Sequence, residues 1–600
     1  MNYKGNAYPH SFILCKDNIV IENLSDFEEV KLFEYSLFHS ESYSVTLIDK
    51  GNVKHMLLGY SLDIRNSKNS DEDILEILHQ SDSVIKELEY IAGRYIYIKA
   101  VSNEMYVYSD ASQLLPLVFN KEAQILSSHD NLLAEILTDN RYKVTRRALE
   151  VHNELDFTRF AEIQKFNPSM RLRTKDFTYR RIYPRTQLAT ESVDIVYKRM
   201  KPYLTEMINW LKKNTQPKFL TVTGGIDSRV SAALSKEIEG IEYLTYFMPD
   251  NYIRSSLAKA IYATDKNITT QMKDNLQWNH EIIDLTEIPL SKDELKFYEQ
   301  YYNSKHGYRL DKYYREHKNY YKALHIKSTV FGMGKADFPA SLDAKASSSD
   351  YYRRSVHGIS KQFEEHYDIE GEIDKYFERN LVEPSVTKGR HYFDLYHLES
   401  RMGNWHSSLT LETDPETEEF IFTNSRKLID LIQLPPIAER RDFSLYKKII
   451  NQHWPLLLFF GINTDENLYE QNSKLTVNKL KNIIVYGDRS LKINKQKNMM
   501  TILPADHHIN LKQNYYCVVE NNSKDTHAVT LRSDYDKESA RGSIRVVLRY
   551  NNKVEEYDIV DLNNGINISE YGKSVHINIL FNKEYDSESW RKAATLKIDI

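Results

Sequence analysis

The spacing of apolar residues changes character along the chain, and the changes divide it. Early on, Arg94-Tyr95-Ile96-Tyr97-Ile98-Lys99 reads as a strand, and Met105-Tyr106-Val107-Tyr108 resumes after a turn at Ser102-Asn103-Glu104. Leu117-Val118-Phe119 and Ile125-Leu126-Ser127-Ser128 follow, which predicts a strand meander forming one sheet of an α+β domain over 1–150. Residues 151–190 carry Asn167-Pro168 and Tyr183-Pro184 and read as a linker. From Glu191 the period becomes helical: Val193, Val196, Met200, Leu204, Met207 and Leu211 share one face until Pro217 ends it. Lys218–Val222 is then a short buried-strand run, Val230, Ala233 and Leu234 mark a second helix, and Tyr243–Phe247 a second strand. Helix, strand, glycine loop, helix, strand is the rhythm of a parallel α/β sheet, assigned to 191–475. Residues 290–480 read mostly as helix, and the Lys- and Asn-rich stretch 473–498 as a boundary. Period two returns over 500–600, in Ile544/Val546/Leu548/Tyr550 and Val575/Ile577/Ile579, with turns at Asn551-Asn552 and Asn563-Asn564-Gly565. That end reads as an appended all-β sandwich.

Composition narrows the class. Six hundred residues exceed one core; at roughly 100–200 residues per domain, several units are expected. Lys plus Arg is 80 against Asp plus Glu 85, a net charge of −5. That balance offers no electrostatic footprint for nucleic acid. No apolar run reaches the roughly 18 residues of a membrane span, and the first twenty residues lack a signal-peptide core. Cys15 and Cys517 are the only cysteines, which excludes a disulfide framework or a CxxC metal site and fits a reducing cytoplasm.

Glycine is scarce, 19 in the chain, and only Gly224-Gly225 are adjacent. Thr223-Gly224-Gly225-Ile226-Asp227-Ser228 sits between a predicted buried strand and a helix, where backbone N–H groups form an anion cradle. Thr223 and Ser228 add hydroxyls, and Asp227 is a hard oxygen ligand suited to Mg²⁺ beside phosphate. The GxxxxGK[ST] pattern is absent from this loop. The plainer account is a tight turn with a capping Ser or Asp.

TGGIDS after an apolar strand resembles the SGGxDS pyrophosphate loop of the N-type ATP pyrophosphatases. Within that group the likeness is to the asparagine synthetase-like branch, with its β-lactam synthetases and lasso-peptide cyclases. Gly93-Arg94-Tyr95, Asp110-Ala111 and Leu126-Ser127-Ser128 look like its glutaminase-type domain. Phe160–Pro168 resembles the lead into its synthetase domain, and Leu434-Pro435-Pro436, Leu445-Tyr446 and Trp454-Pro455 its closing helices. The resemblance spans roughly residues 90–470. It implies a glutaminase-like α+β domain, an α/β PP-loop domain of the adenine nucleotide α-hydrolase kind, and the β-sandwich beyond.

It also implies a reaction. A carboxylate substrate is adenylated by ATP with release of pyrophosphate, and an amine or ammonia takes the acyl group, releasing AMP. Thr223, Gly224, Gly225, Asp227 and Ser228 would hold the pyrophosphate, and Asp227 with Asp337 the Mg²⁺. Arg441, Lys447 and Lys448, with Arg440, lie where relatives carry the lysine of the acyl step, although a solvated helix face accounts for them as well. Two departures stand out. The second residue is Asn2 where glutamine-hydrolysing members expose a cysteine, so glutaminase activity is expected to be lost. Thr329–Asp337 resembles the GxGxDE-like loop with one extra residue, and Phe338 replaces its final acid.

Arg229 is placed either to reach a phosphate or to lie on a helix surface, and His280 to pack at a strand start. Arg401 and Trp405, one helical turn apart, suit a pocket wall or a surface cation–π contact. The tyrosine pairs between 301 and 352 suit a sugar or peptide site, although an AT-rich coding bias, visible also in the wealth of Lys, Asn and Ile, accounts for them as well. Competing readings are a PP-loop tRNA-modifying enzyme, which lacks catalytic cysteine pairs here, and a degenerate relative that binds or scaffolds. The substrate acid could be free, peptide-borne or glycan-linked; family analogy suggests a homodimer.

Overall fold

The computed structural model describes residues 8, 10–21, 27–102, 104–147, 154–249, 252–253, 255–302, 307–338, 365–414, 416–473, 475–511, 513–522 and 528–600. Asn2 and the Tyr351-Tyr352 pair lie outside them.

Twelve strands make the N-terminal part: β1 (Phe12–Lys16), β2 (Phe27–Leu32), β3 (Tyr35–Ser40), β4 (Val45–Asp49), β5 (Val53–Asp63) and β6 (Ile91–Val101), then β7 (Glu104–Ser109), β8 (Val118–Asn120), β9 (Ile125–Ser127), β10 (Gln164–Lys165), β11 (Met170–Arg173) and β12 (Thr178–Arg181). They form two antiparallel sheets, ordered β10-β8-β9-β1-β3-β2 and β12-β11-β7-β6-β5-β4. The expected single meander is therefore two sheets. Val118–Asn120 and Ile125–Ser127 pair with each other, and the latter with β1, because Phe119 and Leu126 face Phe12 and Leu14 in the core between the layers. Residues 151–190 are not a bare linker either: they supply β10, β11 and β12 as the outer strands of both sheets.

Three helices belong to this part: α1 (Asp71–Gln80), α2 (Val84–Leu88) and α3 (Asp130–Asp139). Ile74, Leu75 and Leu78 of α1 pack on the outer face of one sheet, Leu133 and Leu137 of α3 on the other. The layers run helix, sheet, sheet, helix. Cys15 sits buried on β1, and burial pushes its thiol up to about 12.

The second part is built on α4 (Val193–Lys213), β13 (Lys218–Thr221), α5 (Ile226–Ser235), β14 (Ile241–Phe247), α6 (Ser256–Leu276), β15 (His280–Asp284), β16 (Ala323–Lys327) and β17 (Thr417–Ile421). The five strands are all parallel, in the order β15-β14-β13-β16-β17. Phe219 and Leu220 of β13 are fully buried, one on each face, as a central parallel strand requires. The chain leaves β13 toward β14 on one side and later returns to β16 on the other. That reversal opens a crevice at the strands' carboxyl ends, where ligands of open α/β sheets bind.

The two parts are joined by buried polar groups. Arg94 donates to Asp414 Oδ2 at 2.5 Å, Glu418 Oε1 at 2.9 Å and the Leu114 carbonyl at 3.1 Å. Asn424 Nδ2 donates to the Gly93 carbonyl and Asp110 Oδ1, and buried Arg426 to the carbonyls of Ser109 and Pro168. Trp210 of α4 stacks on Tyr60 at 5.3 Å and on Phe420 at 5.6 Å.

The C-terminal part is a sandwich of a six-stranded and a five-stranded antiparallel sheet around one apolar core. It begins at Thr476, inside the stretch expected as a boundary and ahead of the expected start at 500, because strands Thr476–Leu480, Ile483–Gly487 and Leu491–Gln496 already belong to it. The Lys- and Asn-rich composition there reflects outer strands with solvated faces. Asn551 and Asn552, at φ +45° and +62°, make the two-residue turn between Ile544–Tyr550 and Lys553–Asp558. Of the described tyrosine pairs one member each is buried, Tyr302, Tyr314 and Tyr320, while Tyr301 and Tyr313 are half-buried and Tyr321 is exposed. No helix among the described residues is long and apolar enough to cross a membrane.

Arg94→Met should leave Asp414 as an uncompensated buried charge, costing about 3–5 kcal/mol. Hydrogen exchange of the β17 amides should then accelerate, and unchanged protection would refute the interface role. Neither Cys15 nor Cys517 should react with iodoacetamide at pH 8 in the native protein, since both thiols are buried and pushed up to about 12. Labelling of Cys15 before unfolding would show the opposite.

Candidate nucleotide site

The glycine loop occupies the expected strand-to-helix turn, between the end of β13 and the start of α5. Its polar groups close on one another. Thr223 N–H donates to Ser228 Oγ at 3.0 Å, Gly225 N–H to Thr223 Oγ1 at 3.2 Å, and Gly224 N–H to Asp265 Oδ1 at 2.7 Å. A Cβ on Gly224 would lie 2.7 Å from Ile268 Cδ1 and 2.9 Å from Asp265 Oδ1, so the ends of both side chains would have to shift.

Arg229 neither reaches toward a phosphate nor lies on a helix surface. It is fully buried behind the loop and donates to the carbonyls of Gly224, Leu457, Phe460 and Gly461. A buried guanidinium needs such acceptors, and the segment closing over α5 supplies them. Asn463 continues that segment and donates its N–H to the Gly224 carbonyl at 3.0 Å.

A cavity of about 410 Å³ opens from the loop. Thr223, Asp227 and Ser228 line one end. Leu244, Thr245 and Tyr246 at the end of β14, with Ile261 and Tyr262 of α6, make one wall. His325, Lys327 and Thr329, at and after the end of β16, make the other. The far end holds Trp405, His406, Leu409 and Glu412. Trp405 and His406 come from a π-helical stretch, His397–His406, of the kind that often marks functional sites. Trp405 thus serves both expectations, lining the cavity while exposed Arg401 lies 5.0 Å from its ring.

Burial pushes the imidazoles down: His406 to about 4, His325 well below its ordinary value. Both are neutral at pH 7. His406 Nε2 meets Thr329 Oγ1 at 2.9 Å, and His325 Nε2 meets Thr221 Oγ1 at 3.1 Å. Glu412 accepts the Gly307 N–H at 2.5 Å, and Lys327 is paired with buried Glu419. His280 begins β15, bonded to Thr245 Oγ1 at 2.9 Å, as its packing role requires.

Asp227 Oδ2 takes the Lys335 ammonium at 2.7 Å, while its Oδ1 is buried without a hydrogen-bond partner among the described residues. Burial raises the Asp227 carboxyl above its ordinary range, Lys335 pulls it back, and the Asp337 charge raises it further. Thr329–Gly334 forms a 3₁₀ turn, and Gly334 packs against the Tyr446 ring, where a Cβ would collide with the hydroxyl. Ala336, at φ +48°, is a strained backbone position, and Asp337 after it is exposed to solvent. Phe338 is buried and stacks on His391 at 3.9 Å.

The three basic residues expected at the acyl step do not line this cavity, as far as the described residues go. Arg441 lines a separate cleft with Asp337. Lys447 pairs with Asp442 at 3.2 Å and Lys448 with Asp194 at 2.9 Å. Arg440 is buried against Asp394 and the Met333 and Gly334 carbonyls. Sequence reasoning passed over Lys335, Asp265, Lys327 and Glu412. Lys335, two residues before Asp337, carried a signal; the others sit on separate elements with no shared pattern. Among the described residues, no three His, Cys, Asp or Glu side chains cluster as a metal cage.

No family model and no curated protein matches the chain. Three solved structures are similar to part of it. They are the allosteric regulatory enzyme of purine biosynthesis (12% identity, 42% of this chain, 61% of that one, TM-score 0.21); glutamine phosphoribosylpyrophosphate amidotransferase from B. subtilis complexed with ADP and GMP (13%, 43%, 66%, TM-score 0.20); and NH3-dependent NAD synthetase from Campylobacter jejuni (16%, 34%, 96%, TM-score 0.16). The chain thus spans 61% and 66% of the length of the first two.

Proposed function

We propose that this protein is an ATP-dependent ligase that adenylates a carboxylate and transfers the acyl group to an amine or ammonia. One observation carries the reading. A self-bonded glycine loop at the sheet's reversal point presents Asp227, whose buried Oδ1 has no hydrogen-bond partner among the described residues, to a cavity of nucleotide size. In this reading the second part is a PP-loop synthetase domain. The helix–sheet–sheet–helix N-terminal part is glutaminase-like in architecture, and it has no exposed thiol among its described residues. Proposed boundaries follow the strands: 1–181 for the first part, 191–473 for the second and 476–600 for the sandwich.

ATP would lie with its phosphates on the loop, whose donors to Thr223, Ser228 and Asp265 exchange those internal acceptors for phosphate oxygens. Asp227 Oδ1 fits a Mg²⁺ ligand, and exposed Asp337 is the second acid near it. Bound there, the ion would neutralise phosphate charge. The acid's carboxylate oxygen attacks the α-phosphorus, the bond to the β-phosphate oxygen breaks, and pyrophosphate is left on the loop. The amine lone pair then attacks the acyl carbon, the bond to AMP breaks, and a base takes the ammonium proton. Glu412 and Lys327, both lining the cavity, are placed for the base and for the cation at the developing oxyanion. Arg441, Lys447 and Lys448 stay proposals for a supporting role outside it.

The Lys335–Asp227 pair and the buried Phe338 favour a second reading, in which the site binds nucleotide without turnover. Calorimetry separates the readings from an empty site. Saturable Mg·ATP binding is expected in the wild type and a loss of about tenfold or more in Asp227→Ala and Gly225→Val. No binding by folded wild-type protein at millimolar ATP would overturn both readings. AMP release with a panel of carboxylic acids and amines then distinguishes ligase from binder.

Affinity should also fall on acidification. The Asp227 carboxyl lies above its ordinary 3.8, and only the ionised form helps hold Mg²⁺. The loss should therefore begin at higher pH than for an exposed aspartate. A flat profile down to pH 4 would exclude Asp227 as a ligand.

A further inference from the structure

Three backbone N–H groups of the glycine loop are spent inside the protein, and their acceptors differ in kind. Those of Thr223 and Gly225 go to neutral hydroxyls of the loop itself. That of Gly224 goes to a carboxylate, Asp265 Oδ1, at 2.7 Å, brought in by α6 from 41 positions along the chain. The bare Cα of Gly224 lets it approach, since a Cβ there would lie 2.9 Å from the same oxygen. A phosphate oxygen would make the same charge-assisted bond with the same donor.

Asp265 also faces the cavity. It lines the wall beside Thr223, Asp227 and Ser228, and it is half-buried, with the cavity to move into. Burial raises its carboxyl above the ordinary range, while the Gly224 N–H and the Arg229 charge behind the loop pull it back. Among the described residues lining this cavity the one Lys or Arg is Lys327, and it is paired with Glu419. The Lys335 ammonium is taken up by Asp227. The loop end therefore meets an incoming polyanion with two carboxylates, one of them already on a donor of the cradle.

We propose that Asp265 is a resident anion of the glycine loop: a polyphosphate displaces it from the Gly224 N–H to bind, and it retakes that N–H as pyrophosphate leaves. Its role in turnover rests on the adenylation reading; the competition at the loop does not. Bare polyphosphate meets the full repulsion of the carboxylate, whereas a nucleotide bound as its Mg²⁺ complex brings a compensating charge. Asp265 is then a specificity-determining residue, which selects the complexed form and speeds the departure of pyrophosphate.

Calorimetry on the full chain at pH 8 tests this with metal-free sodium pyrophosphate and, separately, with Mg·ATP. It compares wild type, Asp265→Asn, Asp265→Ala and Asp274→Asn, each shown folded by circular dichroism. Asp265→Asn keeps the size and an acceptor, and Asp274 is an exposed acid on the same helix that controls for net charge. The expected result is pyrophosphate binding tightened about tenfold by both Asp265 variants, Mg·ATP binding changed by less than about threefold, and Asp274→Asn like wild type. Pyrophosphate binding unchanged or weakened in Asp265→Asn overturns the proposal, since the carboxylate is then a brace for the loop. An equal gain in Asp274→Asn, an equal gain for Mg·ATP, or no pyrophosphate binding by any of the four proteins overturns it too. Mg·ATP keeps the two readings apart. Wild-type Mg·ATP binding beside unchanged pyrophosphate binding leaves adenylation standing and removes this role for Asp265. Pyrophosphate binding tightened in the variants, with Mg·ATP bound by none, leaves the resident anion standing and removes the ligase.

Discussion

One buried guanidinium holds the centre of this molecule. Among the described residues Arg229 has no acid partner at hydrogen-bond distance and donates to the carbonyls of Gly224, Leu457, Phe460 and Gly461. A charge taken out of water must find such dipoles or it destabilises the fold. In satisfying itself it ties the glycine loop to the closing segment 455–461, and through Asn463 to the wall of the cleft that Asp337 and Arg441 line. The planar fork suits several diverging carbonyls at once, which a lysine's point charge would not. The loop and the segment that closes over it are thus held by one arrangement.

The N-terminal sheets bear on the site without contributing chemistry to it. Arg94 grips Asp414, two residues beyond cavity-lining Glu412, and Glu418 on β17. Tyr60 donates to the Glu419 carbonyl on the same strand at 2.6 Å, and Glu419 in turn holds Lys327. The far wall of the cavity is thus braced from outside its own domain. A domain whose cysteine is buried on a strand can still be required, because a parallel sheet's edge strand needs its outer face covered.

Two recesses flank a single ion pair. On one side of Asp227–Lys335 lies a mixed apolar and polar cavity, on the other a cleft rich in arginine.

Much of the architecture was legible in the sequence. The helical face of Val196, Met200, Leu204 and Leu211, the buried run Phe219-Leu220 and the double glycine announce α4, β13 and the turn, because local geometry dictates each. Alternation at Ile544–Tyr550 and 574–581 did the same for the sandwich. What local pattern cannot carry is partnership. Nothing near Leu117 says that it opens a second sheet, and nothing in Ser228-Arg229 says that the arginine turns away from the loop's ligand face. Asp265 on the Gly224 N–H, Glu412 at the far end of the cavity and Arg545 beside Arg441 join residues 41 to more than 100 positions apart. The sequence by itself determined where α4, β13, the glycine turn and the alternating strands of the sandwich would form, since those depend on neighbours along the chain. The tertiary structure alone decided which charges meet, since burial and pairing depend on neighbours in space.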